Sequence, residues 1–426
     1  MGARWLAERT GLDNVLCTDI GGTSFDIALM TEQMIDVTTT PDVARFVLNM
    51  PLVKLDSIGA GCGSFVRIDP GSGRPEIGPD SAGSRIGTAW PEGGVDTVSI
   101  TDLNLLLGRL NADYFLGGQV TLDVERARHE VQRQIAAPLG LPLERAAAGV
   151  IEIFESTLRN EAVSRILGKG YAPVDFTLLC YGGGGPLHVA GYTEGIPYQD
   201  VLVPEWAAGF SAFGCACADF EYRYDRQVDV PILPTATAGG VTGVGALITQ
   251  AWQALEARSV AEFAKSGFAA DVVTFSHLVR MQYFGQLIDI EVVSPSARLD
   301  TADDVQRLTE AFEHTYQTTY AHAASSSELG YLVAQAIVKG SVPVEKPVLP
   351  TLAPQTGSPP VKFTRPVWWS DAFVTTDIYE MGDVRAGHTI HGPAVLEAES
   401  TTFPIPPGRT ARLDEHAIFH LTITEA

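Results

Sequence analysis

Positive charge is what this sequence is shortest of: 29 Lys and Arg stand against 51 Asp and Glu in 426 residues, a formal charge of −22. A field of that sign repels phosphate backbones and anionic lipid, which argues against nucleic acid and membrane surfaces as partners. Any phosphorylated ligand must then be gripped locally, by backbone amides, a helix N-terminus or a bound cation. Cysteine is scarce as well. The five, Cys17, Cys62, Cys180, Cys215 and Cys217, are odd in number, sit among apolar neighbours and lack paired metal-ligand spacing; they read as reduced thiols of a cytoplasmic protein. No basic segment followed by an apolar one opens the chain, no run approaches the ~20 apolar residues of a membrane helix, and no repeat recurs on a fixed period.

What is present is an ordinary globular composition, 45% hydrophobic and 19% charged, in a chain longer than the roughly 250–300 residues at which single cores stop growing. Two or three domains of an α/β (α+β) class are expected. Met1 to Gly11 reads as a short helix leading straight into the apolar run Val15–Cys17, a buried strand. So abrupt a start suggests that an N-terminal partner segment lies on another chain or has been removed. Stripes of apolar residues predict a helix begun by Asp123 and carrying Val124, Ala127, Val131 and Ile135, and another from about Leu143 to Leu167. Phe176–Cys180 reads as a strand, followed by a glycine turn and a helix with Pro186 near its start. Residues 1–230 form the expected first domain. Helices over Ala246–Ala264 and Ala302–Tyr320, with strands over Val272–Tyr283, Leu287–Val293 and Tyr331–Val338, predict an α+β domain over 231–345. After a proline-rich linker, Val342 to Pro360, short strands predict a small β-rich domain within 346–426.

Two glycine-rich loops carry the chemistry. Asp19-Ile20-Gly21-Gly22-Thr23-Ser24-Phe25-Asp26 lies between two apolar runs, as a hairpin whose bare backbone can present N–H groups to a phosphate. Asp19 at its lip is placed to hold Mg²⁺ through water; a plain tight hairpin would also use these residues. Gly182-Gly183-Gly184-Gly185-Pro186-Leu187-His188 joins a strand to a helix, where a ligand can lie against the main chain. It lacks the Lys-Ser/Thr ending of a P-loop and the spacing of the dinucleotide fingerprint. His188 either donates to a substrate or phosphate or is a satisfied structural group. Gly59 to Ser64 is either another backbone surface near the ligand or a bend in a curved sheet. Asp102 and Asn104 read as a helix cap before site residues, and His388 and His391 as surface.

The strings DIGGTSFDIAL, DSIGAGCGSFVRID, GPDSAG, TDLNLLLGRL, FLGG, GGGGPLH and GFSAFGC, in this order, resemble the hydantoinase A/5-oxoprolinase family, which includes the β-type subunits of acetone and acetophenone carboxylases. The resemblance runs from Gly2 to about Asp229 and continues more weakly through RMQYFGQ and HGPAVLEAES. PDVARFVLNMPLVKLDS, GKGYAP and AAGFSAFGCACADFEYRYD look most like the ketone carboxylase branch. It implies an actin-like, acetate kinase-type ATPase fold in which two halves clamp ATP, with the first half's hairpin absent here. Asp19, Gly21, Gly22, Thr23, Ser24 and Asp26 then match a phosphate motif and Gly182–Gly185 an adenosine-side motif, with Asp19, Asp26 and His188 as candidate catalytic residues. Cys62 stands where relatives often have glycine, and Gly184 where they often have alanine. The implied activity is ATP-dependent phosphorylation of a ketone and of bicarbonate for carboxylation, in a hetero-oligomer with an N-terminal-half chain and a hydantoinase B-like subunit. ATP-dependent opening of a cyclic amide, and a non-catalytic assembly role, are the alternatives.

Overall fold

A computed structural model describes residues 1–38, 42–43, 45–47, 52–287, 289–320, 326–349 and 351–423. Ile288, inside the expected strand Leu287–Val293, Pro350, inside the expected linker, and part of the string PDVARFVLNMPLVKLDS lie outside these residues. The chain divides into two units, one of Met1–Cys217 with Pro347–Ala426 and one of Ala218–Lys346. Among the described residues no helix is long and apolar enough to cross a membrane.

The first unit is α/β. Its nine-stranded mixed sheet runs in the order Thr389–His391, Arg409–Leu413, Ile418–Ile423, Asp200–Pro204, Thr177–Tyr181, Val15–Ile20, Phe25–Thr31 and Met34–Ile35, with Asp56–Ile58 also pairing to Phe25–Thr31. The three central strands Asp200–Pro204, Thr177–Tyr181 and Val15–Ile20 are parallel. Their near-continuous apolar sequence follows from burial on both faces, and Leu16, Leu178 and Val203 are fully enclosed. The helix Leu143–Leu167 lays Val150, Ile151, Phe154, Leu158 and Ile166 into this core. The helix after Asp123, whose carboxylate accepts the Arg126 amide at 2.9 Å, begins at Val124 and passes through a π-turn at Gln132–Ala136. Ala127, Val131 and Ile135 stay buried across that turn.

The expected third segment does not stand alone. Three of its strands extend the nine-stranded sheet, and Phe403, Leu413, Phe419 and Leu421 share one core with Leu16, Ile20 and Phe25. Its other strands form a four-stranded sheet in the order Phe363–Trp369, Ala372–Glu380, Ala394–Ala398 and Thr401–Ile405.

The second unit is a four-stranded antiparallel sheet, in the order Phe220–Ile232, Tyr331–Val342, Thr274–Tyr283 and Ile290–Val293, with helices Ala238–Lys265 and Ala302–Tyr320. Trp252, Phe312, Met281 and Val338 centre its core. The expected boundary at 230/231 falls inside strand Phe220–Ile232, whose Ile232 pairs with Tyr331. That strand is mostly exposed, so its sequence carries little hydrophobic signal.

Candidate functional site

Strands Val15–Ile20 and Phe25–Thr31 pair antiparallel, with Asp19 opposite Asp26 and Ile20 opposite Phe25. Only Gly21 to Ser24 remain to turn the chain, closed by the Gly21 amide donating to the Ser24 carbonyl at 3.1 Å. On the other side, Val15–Ile20 runs parallel to Thr177–Tyr181 with Asp19 beside Tyr181, so the turn 182–185 leaves the sheet next to the hairpin. The Gly184 amide donates to the Ile20 carbonyl at 2.9 Å. Gly182 sits at φ +84, and a methyl there would overlap Asp19 Oδ1 and the Ile20 carbonyl. Glycine is required at that position both by the backbone and by the closeness of the neighbour.

Gly59–Ser64 is the third layer of this stack. The Cys62 and Gly63 amides donate to the Gly21 and Gly22 carbonyls at 3.0 and 2.8 Å, and Ser81 Oγ donates to the Gly22 carbonyl at 2.9 Å. A methyl on Gly61 would run into the backbone of Gly22 and Thr23. Gly22 and Thr23 remain exposed at the tip. Cys62 and Gly184 also meet here: a methyl on Gly184 would overlap Cys62 Sγ. Burial pushes the Cys62 thiol up to about 12, so it stays neutral.

Asp19 accepts from Ser211 Oγ at 2.8 Å, and Asp26 accepts from Ser24 Oγ at 3.1 Å. Partial burial raises the Asp19 pKa, the Ser211 hydrogen bond opposes this, and the Asp26 charge adds to it. Two carboxylates thus stand opposite each other across one hairpin. Among the described residues no group of three or more His, Cys, Asp or Glu could cage a metal. One or two carboxylates, with phosphate oxygens and water, are the usual ligands of Mg²⁺.

A cavity of about 300 Å³ opens against these turns, touching Gly21, Gly22, Gly183 and Gly184. The rest of its lining includes Ile86, Tyr114, Phe115 and Leu116, with Glu397 to Thr402, where Thr401 Oγ1 donates to the Gly183 carbonyl at 2.9 Å. Ile86 and Leu116 both hold left-handed backbone, at φ +68 and +51, a conformation that is rare for bulky residues and collects at ligand sites. The chain just beyond Ile86 is fixed by Asp102, which accepts from the amides of Thr88, Ala89 and Ser99 at 3.0, 2.7 and 2.7 Å. This is the cap read from the sequence, and it also anchors the cavity wall. Tyr114 and its neighbours are held from the other side. Glu397, 1% exposed, accepts from Asn111 Nδ2 at 3.2 Å and pairs with Arg365. Arg365 also donates to the Gly108 and Arg109 carbonyls at 2.7 and 2.8 Å. Lys362 pairs with Glu380 at 2.8 Å and lies 3.8 Å over the Tyr114 ring. Sequence reasoning gave none of these residues a role. The signal for them was weak: FLGG ends this loop and HGPAVLEAES holds the carboxylate, but neither has the spacing of a known ligand motif.

His188 is not on the wall. It is fully buried, with Nδ1 at 2.9 Å from Glu155 Oε1 and Nε2 at 3.3 Å from Asn104 Nδ2. An amide nitrogen can only donate, so Nε2 accepts and Nδ1–H donates to Glu155. Burial lowers the His188 pKa against the pull of Glu155, which keeps the ring neutral. Arg109 Nη1 meets the same Glu155 oxygen at 3.3 Å. The expected catalytic histidine is thus the centre of an internal network that packs helix Gly185–Tyr192 onto helix Leu143–Leu167. His388, expected at the surface, is also buried and accepts the Arg385 amide at 3.1 Å, whereas His391 is exposed.

The model of the family described as hydantoinase/oxoprolinase matches residues 1–224, more than half of the chain, and that of the hydantoinase/oxoprolinase C-terminal domain matches residues 236–424. The chain belongs to the hydantoinase/oxoprolinase family. Within it, the chain is 48% identical to the acetone carboxylase beta subunit of Xanthobacter autotrophicus over 99% of its own length and 59% of the relative's. It is 31% identical to caprolactamase subunit alpha of Pseudomonas jessenii over 98% and 59%. A nucleotide-free structure of acetone carboxylase, from work on ATP-dependent acetone carboxylation, superposes with a TM-score of 0.94 at 47% identity, over 99% of this chain and 60% of that one. The ATP-dependent caprolactamase of Pseudomonas jessenii superposes with a TM-score of 0.75 at 28% identity, over 100% and 61%. This hydantoinase/oxoprolinase chain thus spans about three fifths of the length of these relatives.

Proposed function

We propose that this chain is the part of an ATP-dependent ketone carboxylase that holds one side of Mg-ATP, working in a hetero-oligomer with a hydantoinase B-like subunit. The observation that carries the reading is the convergence of two bare-backbone turns, Gly21–Ser24 and Gly182–Gly185, joined through the Gly184–Ile20 hydrogen bond on one cavity. In this reading Gly21, Gly22, Thr23 and Ser24 bind phosphate, Gly182 to Gly185 face the nucleoside, and Asp19, with Asp26 behind it, holds Mg²⁺ through water. Phosphoryl transfer to bicarbonate and to the enolate oxygen of the ketone needs little covalent help from protein; alignment and neutralisation of charge supply most of the acceleration. We assign His188 a positioning role, since it sets the pitch of the helix that follows the second turn.

The test is phosphate release by the complex reconstituted with its companion chains. Release is expected only when ketone and bicarbonate are both present, and Asp19→Ala is expected to lower it by about 100-fold or more, the size of a lost electrostatic contact in a transition state. Unchanged turnover in Asp19→Ala would remove the metal assignment. The caprolactamase relative supports a second reading, ATP-dependent opening of a cyclic amide, which predicts release driven by a lactam without bicarbonate.

A further inference from the structure

A second cavity, of about 250 Å³, lies in the same unit between helices Leu143–Leu167 and Gly185–Tyr192, the turn Trp368–Asp371 and the segment Pro404–Arg409. Its charges are unequally matched. Glu155 is shared by Arg109 and His188, Asp371 pairs with Arg145, Glu194 lies 3.7 Å from Arg159, and Glu152 is exposed. Arg409 is the exception. It is half-buried on the cavity, and among the described residues its guanidinium has neither a hydrogen bond nor an ion pair. Burial lowers its pKa, with only the more distant Glu194 charge opposing. A half-buried guanidinium with open donors facing a cavity can take up an anion there.

The rest of the lining narrows what the counter-ion can be. Trp368, Pro404, Pro406 and Pro407 give an apolar wall, which suits a hydrocarbon tail. Glu152, Glu155, Glu194 and Asp371 on the same lining penalise a ligand with more than one negative charge. A planar guanidinium matches the two oxygens of a carboxylate.

We propose that this cavity binds a small organic monocarboxylate, its carboxylate on Arg409 and its short apolar chain against Trp368 and the proline segment. The site is independent of the nucleotide reading, because no group that binds phosphate in that reading lines it. Butyrate is the probe. Titrated into the full chain at constant ionic strength, it should raise the melting midpoint saturably and transfer NMR saturation from tryptophan protons to its methyl group, with bicarbonate and phosphate weaker. Arg409→Gln should weaken butyrate about tenfold or more, the loss expected for a charge-assisted hydrogen-bonded pair. Arg409→Lys, which keeps the charge and folds even if the neutral variant does not, should weaken it several-fold. Equal affinity in either variant overturns the proposal, as does a butyrate effect no larger than that of chloride or a preference for phosphate.

Discussion

One wall of the cavity at the glycine turns is main chain and the rest of its lining is side chain. On the first, the turns at 21–24, 59–64 and 182–185 pack backbone on backbone so closely that Gly61 and Gly182 leave no room for a methyl. On the second, the loop carrying Tyr114 and Leu116 is fastened by Arg365, Lys362, Glu380 and Glu397. The difference shows two ways of fixing a loop: exclusion of side chains, which tolerates no added atom, and buried charge, which tolerates no removed one.

The largest effect is expected on the side-chain wall. Glu397→Ala would leave Arg365 buried without its carboxylate and should lower unfolding free energy by about 3–5 kcal/mol, measured by urea denaturation. A loss under about 1 kcal/mol would show that the charges do not hold this loop. On the main-chain wall, Gly182→Ala combines left-handed backbone with overlap onto Asp19 and Ile20, and about 2–4 kcal/mol is expected. A milder loss there would mean that the hairpin can back away. Cys62 and Gly184 join the two modes, since a side chain at one position fills the space denied to the other. Gly184→Ala should destabilise, Cys62→Gly with Gly184→Ala should recover most of the loss, and the coupling should be about 1–3 kcal/mol; simple additivity would dissolve the pairing.

Charge can be tested away from both walls at His420, whose Nδ1 lies 2.6 Å from Asp200 and Nε2 3.2 Å from Asp414. Burial opposes the imidazolium, but the two aspartates outweigh it and raise the pKa from 6.5 to about 9. Burial also pushes Asp414 up, and its hydrogen bonds with His420 and the Ile418 and His416 amides leave it below its ordinary value. A raised histidine pKa stabilises the fold fully below 6.5 and loses that contribution as pH rises through 9; the lowered Asp414 pKa contributes above its unfolded value and fades in acid. His420→Asn should therefore cost most near pH 5–6, roughly 1–2 kcal/mol after allowing for the ring's partial exposure. The cost should shrink between about pH 6.5 and 9. A pH-independent difference would mean that the ring is not charged.

The same contrast explains what could be read from the chain alone. Glycine runs are visible in a sequence because few other residues fit such turns, so Gly21–Gly22 and Gly182–Gly185 stood out, and the apolar stripes of Leu143–Leu167 gave that helix its full length. Long-range charge is not visible in this way. Nothing near Glu397 in sequence indicates Arg365 or Asn111, and His188 beside a glycine turn gives no sign that Glu155 and Asn104 enclose it. The small β-rich segment was legible as strands but not as part of the first core, because an apolar face on a strand does not reveal which sheet it joins.

The spacing of the two glycine turns is fixed by strand alignment. Asp19 lies beside Tyr181 in a parallel pair, so a slip of one residue would move the turns by about 3.3 Å and turn every inward side chain of the strand outward. The sheet thus acts as a ruler whose graduations are peptide units. A substitution along these strands leaves that spacing intact, whereas an insertion or deletion shifts it.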